Sequence, residues 1–235
     1  GNYVNFGVFA LYNDKALEDA LGVGLKLGLA LDLSDVMAYP KLSKAYFSFF
    51  EVLFRNHLEA VVVLDTPIFL KIVEAQHEGV QSLDAPLAAQ CANTIDHLAT
   101  FLFTHRPSSS PPTTTSRHRT PKPAMQALNQ HLQAHPTLLS SLMATLFNQL
   151  LFGPMSNQWA VTRPILSLML CSEQSFTACK EHLISTQSPE NQQKLVDAFT
   201  KLLADVQRNL ENTNRDRFTQ RLAAFRLSVR TFLTL

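Results

Sequence analysis

SPENQQKLVDAFTKLLADVQRNLENTNRDRFTQRLAAFRLSVR, residues 188 to 230, holds two apolar stripes separated by a short polar stretch. At about 100° per residue, Leu195, Phe199, Leu202, Val206 and Leu210 fall on one side of a first helix. Phe218, Leu222, Phe225 and Val229 do the same on a second, with Phe232 and Leu233 extending the stripe. Ser188 followed by Pro189 is a helix start, a capping hydroxyl and then a proline suited to the first turn. Asn212-Thr213-Asn214 is composed for a tight reversal. Folding the segment back about Thr213 predicts an antiparallel helix pair that joins its two stripes. The same register places Asp205 opposite Arg221.

The arginines of the second helix follow from this geometry. Arg217 and Arg221 line one border of the stripe, and Arg215, Arg226 and Arg230 the other. Long arginine stems in such places cover apolar surface, while their heads stay in water or meet carboxylates of adjoining helices. A nucleic-acid site calls for a wider basic field. The chain carries 20 Lys plus Arg against 19 Asp plus Glu, a formal charge of +1, and so offers no general attraction to polyanions. Arg215 and Arg217, nearest the expected turn and least committed to packing, are the candidate partner-binding residues.

The helical period recurs upstream. A helix is expected from about Asp14 to Leu31, where Ala20, Gly24 and Gly28 share one face and permit close approach of a neighbour. Others follow at Pro40, at Asp65-Thr66-Pro67 and at Asp84-Ala85-Pro86, the last two being start signals of capping residue and first-turn proline. Met125 to Leu151 reads as two helices broken at His135-Pro136, and further helices follow at 157–170 and 172–186. Pro164 interrupts WAVTRPILSLML, where its ring removes a donor and crowds the carbonyl of Ala160, so a kink without a break is expected. Only seven glycines and no convincing alternating strand complete an all-α reading, either a bundle or a solenoid of stacked helix pairs.

Residues 104–123, THRPSSSPPTTTSRHRTPKP, carry four Lys or Arg, no acid and many prolines and hydroxyls, the composition of a flexible basic surface loop. Ser110-Pro111 and Thr120-Pro121 resemble proline-directed phosphorylation sites. No apolar run reaches the roughly 18 residues of a membrane span. The absence of an initiating Met suggests a piece of a longer protein. Cys91, Cys171 and Cys179 form no paired framework and suit a reducing compartment.

Catalytic signatures fail one by one. Gly22, Gly24 and Gly28 miss the dinucleotide spacing and lack a preceding strand, and Gln81 occupies the place where His77-Glu78 would need a second zinc ligand. His131 and His135 lie four apart without a third ligand and are expected to face solvent. No enzyme, metal or cofactor is expected.

Longer strings supply what single motifs do not. GNYVNFGVFALY, YPKLSKAYFSFFEVL, NTIDHLATFLF, NQWAVTRPILSLML and NRDRFTQRLAAFR, in that order, resemble the C-terminal part of Ran-binding export receptors of the importin-β, or karyopherin, superfamily. The resemblance spans nearly the whole chain. It implies an α-α superhelix of HEAT or armadillo type, built of antiparallel helix pairs of about 40 to 47 residues. On that view residues 1–235 are the C-terminal HEAT-repeat segment of a longer solenoid. It further implies a receptor that binds cargo proteins with Ran in its GTP state and meets nuclear pore proteins. Such a receptor shuttles between nucleus and cytoplasm, with no nucleic-acid or membrane partner. The alternative is a helical-repeat scaffold for protein interactions without Ran dependence.

Overall fold

The computed structural model describes residues 16–106, 123–153 and 158–233. Among them the regular structure consists of twelve α-helices and no strand. They are α1 (Ala16–Ala30), α2 (Leu33–Ala38), α3 (Pro40–Asn56), α4 (Leu58–Val62), α5 (Thr66–Val80) and α6 (Ala85–His105). After the basic segment follow α7 (Pro123–Ala134), α8 (Leu138–Phe152), α9 (Gln158–Cys171), α10 (Glu173–Ser185), α11 (Pro189–Leu203) and α12 (Asn212–Val229). Contacts divide the chain into two units, residues 1–46 and 47–235, with the boundary inside α3.

In the first unit the less exposed side of α1 carries Leu21, Gly24, Leu25 and the buried Gly28. Two of the three recurring small residues thus lie on the inward face as expected, and Ala20 is exposed. Asp14, the expected start of α1, lies outside the described residues.

The second unit is built of repeated helix pairs. α5 packs on α6, α8 on α9 and α11 on α12, each pair adjacent in sequence. The second members form a row, α6 against α9 and α9 against α12. The first members form another, in which α5 meets α8, α8 meets α10 and α10 meets α11. Two rows of helices sharing one apolar layer are the arrangement of an all-α solenoid, in which each pair buries its stripe on its neighbours. α7 is interposed after the basic segment and packs on α4 and α5.

First-turn prolines stand where expected in α5, α6 and α11, but Asp65 and Ser188 occupy the N-caps of α5 and α11 without a side-chain cap bond. Side-chain caps form at Asp84 and Ser172. The Asp84 carboxylate accepts a hydrogen bond from the Leu87 amide at 3.2 Å, and the Ser172 hydroxyl accepts from the Ser175 amide at 3.2 Å. These bonds satisfy amides that the first helical turn leaves without carbonyl partners. α7 ends at Ala134 and α8 begins at Leu138, the break expected at His135-Pro136. α9 continues through Pro164, whose ring is buried. At Gly79, in α5, an added methyl would collide with Cys91 Sγ and lie 3.0 Å from Phe47, so only glycine allows this approach of α5 to α6.

The last reversal differs from the sequence expectation. α11 stops at Leu203, and the chain turns through residues 204–211 before α12 begins at Asn212. Asp205 adopts the left-handed conformation, φ 56°, just past the helix end. That position is usually filled by glycine, and aspartate is among the few other residues that enter it. Asn214, expected in the turn, is instead a buried residue of α12 that clamps the preceding loop. Its Oδ1 accepts from the Gln207 amide at 3.1 Å, and its Nδ2 donates to the carbonyls of Gln207 and Asn209, each at 2.8 Å. Val206 and Leu210 consequently leave the helical stripe, which closes at Leu202.

Residues 104–123 are described only at their ends, with α6 reaching His105 and α7 starting at Pro123. Ser110, Pro111, Thr120 and Pro121 lie outside the described residues.

Candidate functional site

α12 sorts its arginines in a way the stripe alone does not. Phe218, Leu222, Phe225 and Val229 are all buried, as its period requires. Phe225 meets Phe199 of α11 with ring centroids 4.8 Å apart, and Phe199 in turn meets Phe147 and Phe176 at 6.2 Å each. Four helices thus share one aromatic cluster.

Arg215 is buried, contrary to the expectation that it packs least. Its Nη1 donates to both Asp96 oxygens at 3.0 and 3.1 Å, its Nη2 to the Thr100 hydroxyl at 2.9 Å and its Nε to the Leu210 carbonyl at 3.1 Å. Asp96 also accepts from the Ser167 hydroxyl, so one carboxylate of α6 ties together α9 and α12. A guanidinium can enter the interior only when its donors are met in this way. Arg226 is also interior and donates to the Gly153 carbonyl at 2.8 Å. This holds the end of α8 against α12.

Arg217 and Arg221 have different surroundings. Arg217 is exposed and makes no ion pair among the described residues. Arg221 pairs with Asp205 at 3.1 Å, the partnership expected from the antiparallel register. It arises through a loop aspartate, since the helix has already ended. Beside this pair a groove of about 340 Å³ opens between α11 and α12. Of the two candidate partner-binding residues, Arg217 alone is on the surface.

The histidines also depart from expectation. His135 is exposed, but His131 is buried and stacks on Phe69 with centroids 4.4 Å apart. Its Nε2 lies 2.9 Å from the Val62 carbonyl, which can only accept, so this nitrogen carries the proton. Nδ1 then accepts from the Thr66 hydroxyl at 2.8 Å. His131 therefore joins α7 to the α4–α5 connection. Its spacing from His135 resembled a metal pair, but nothing local revealed that its partners lie more than sixty residues upstream.

Among the described residues no group of three His, Cys, Asp or Glu is placed to hold a metal. Burial pushes the Cys91 thiol far up, the Cys171 thiol up to about 12 and the Cys179 thiol up to about 11. Cys171 donates to the Ala99 carbonyl at 2.9 Å, as a packed structural thiol does. No described helix is long and apolar enough to cross a membrane.

Comparison with known proteins gives a consistent result. The chain is 37% identical over 229 residues to exportin-7-B of Xenopus laevis and 35% identical over 229 residues to Ran-binding protein 17 of Homo sapiens. It is 30% identical over 236 residues to Ran-binding protein 16 of Drosophila melanogaster. Each match covers 97% of this chain and 21% of the relative, so the chain spans about a fifth of their length. No family model matches the sequence, and no solved structure matches it. On this similarity along 97% of its length, the chain is homologous to exportin-7 and the Ran-binding proteins 16 and 17.

Proposed function

We propose that this chain is the C-terminal HEAT-repeat segment of a nuclear export receptor that binds cargo proteins together with Ran-GTP and carries them through the nuclear pore. The observation that supports this reading is similarity along 97% of the chain to proteins named for export and for Ran binding. The receptor makes and breaks no covalent bond in this scheme. Its work is to present a long surface and to change curvature, because each helix pair touches only its neighbours and small shifts at successive interfaces add up. Ran and cargo that select the same curvature help each other bind, with a coupling of roughly 1 to 3 kcal/mol typical of linked sites. Partners would also include nuclear pore proteins, and the receptor would shuttle between nucleus and cytoplasm.

Within the segment, the Arg215 to Asp96 node supports the coupling role, since it fixes α12 to α6 and α9 and makes those helices move together. Arg217, exposed one turn from the loop, is the residue of this pair that meets a partner. The test is capture of Ran by the full-length protein, with Ran locked to GTP or to GDP. Preference for the GTP form with cargo present supports the reading, and equal capture of both forms points to a scaffold without Ran dependence. Arg217→Glu assigns the surface: unchanged affinity for every partner removes Arg217 from it.

A further inference from the structure

The groove between α11 and α12 has a defined chemistry. Leu202 and Phe225, both buried, form its floor, and Ala198 and Ala224 leave room where larger side chains would fill the space. Lys201 and Arg221 stand at its rim, and no acidic residue lines it. An apolar slot bounded by two cations is complementary to an anionic group next to an apolar one.

Arg221 pairs at the surface through one nitrogen. Its Nη2 donates to Asp205 at 3.1 Å, while its Nη1 is buried. Asp205 is itself exposed, its side chain retaining 78% of its accessible surface, and it sits in the loop that caps α11. Such a pair is weak in water, and a carboxylate arriving from outside can take the same guanidinium. Lys201 is exposed and forms no ion pair among the described residues.

We infer that this groove docks an acidic peptide segment of a partner protein, with an acidic side chain displacing Asp205 from Arg221 beside Lys201 and a neighbouring aliphatic side chain filling the slot. Asp205 then acts as a built-in competitor that keeps the groove closed to weaker anions. This inference does not depend on Ran or on export.

The test uses the full-length protein and a labelled synthetic peptide with glutamates bracketing a leucine, compared with the same peptide carrying glutamines, read by fluorescence anisotropy. The acidic peptide binds, and its affinity falls with added salt. Lys201→Glu lowers that affinity about tenfold while leaving the thermal unfolding midpoint unchanged, because Lys201 is exposed. Arg221→Gln lowers it similarly. Asp205→Asn raises it by up to about fivefold, the equilibrium weight of an exposed ion pair. Equal binding of the two peptides would overturn the inference. So would an unchanged affinity in Lys201→Glu, or a weaker one in Asp205→Asn.

Discussion

Two ion pairs on one helix separate α12 into regions of different character. At its start Arg215 meets Asp96 with side-chain exposures of 9% and 13%, and three further acceptors or donors complete the node. Near its middle Arg221 meets Asp205 with exposures of 28% and 78%. The bond lengths are nearly equal, 3.0 and 3.1 Å. Contact distance therefore says little about what a pair contributes. In the buried pair both charges have lost their water, so removing one strands the other. In the exposed pair water replaces whichever partner leaves.

The apolar stripe beneath both pairs sets the scale for breaking this comparison. Phe218→Ala or Phe225→Ala should lower the opening free energy of α12 by about 3 to 5 kcal/mol, read by hydrogen exchange at its amides in the full-length protein. A loss below that of either ion-pair variant would mean that charge, not packing, holds this end. Asp96→Ala should cost about 3 kcal/mol by the same measurement, because the Arg215 guanidinium is left buried without its counter-ion. The double change Asp96→Leu with Arg215→Met sharpens the point, since it should recover most of the loss. If the double variant is as unstable as the sum of the singles, the two residues act independently and the stranded-charge account fails.

His131→Ala extends the contrast to a neutral buried node and should cost about 1 to 3 kcal/mol, the range for leaving interior hydrogen-bonding groups without partners. The loss should appear in exchange at α5 and α7 and spare α12. Arg221→Ala sits at the lower end, about 0.2 to 1 kcal/mol, and less in high salt. Asp205→Gly should be nearly neutral, for it deletes the exposed pair while relieving the left-handed backbone of a side chain, an effect of about 1 kcal/mol in the opposite direction. A cost of several kcal/mol in Asp205→Gly would mean that the two pairs are alike after all.

The sequence by itself determined the helical class, the apolar faces and most helix starts. These depend on periods of 3.6 residues and on caps three residues away, as at Asp84 and Ser172, and such short-range physics is written within a single turn. Asp205 stands beside Arg221 as expected, but from the loop that follows α11 and not from a continued helical register. What tertiary structure decided is which polar side chains go inside. Arg215 and Arg217 are two positions apart with the same chemistry, yet one meets a carboxylate 119 residues upstream and the other faces water. His131 likewise leaves solvent for a carbonyl 69 residues away, and the reversal before α12 moves to 204–211 because Asn214 finds its partners in the loop. Burial of a charge or an imidazole depends on acceptors supplied by distant helices, and no local period encodes where those acceptors will stand.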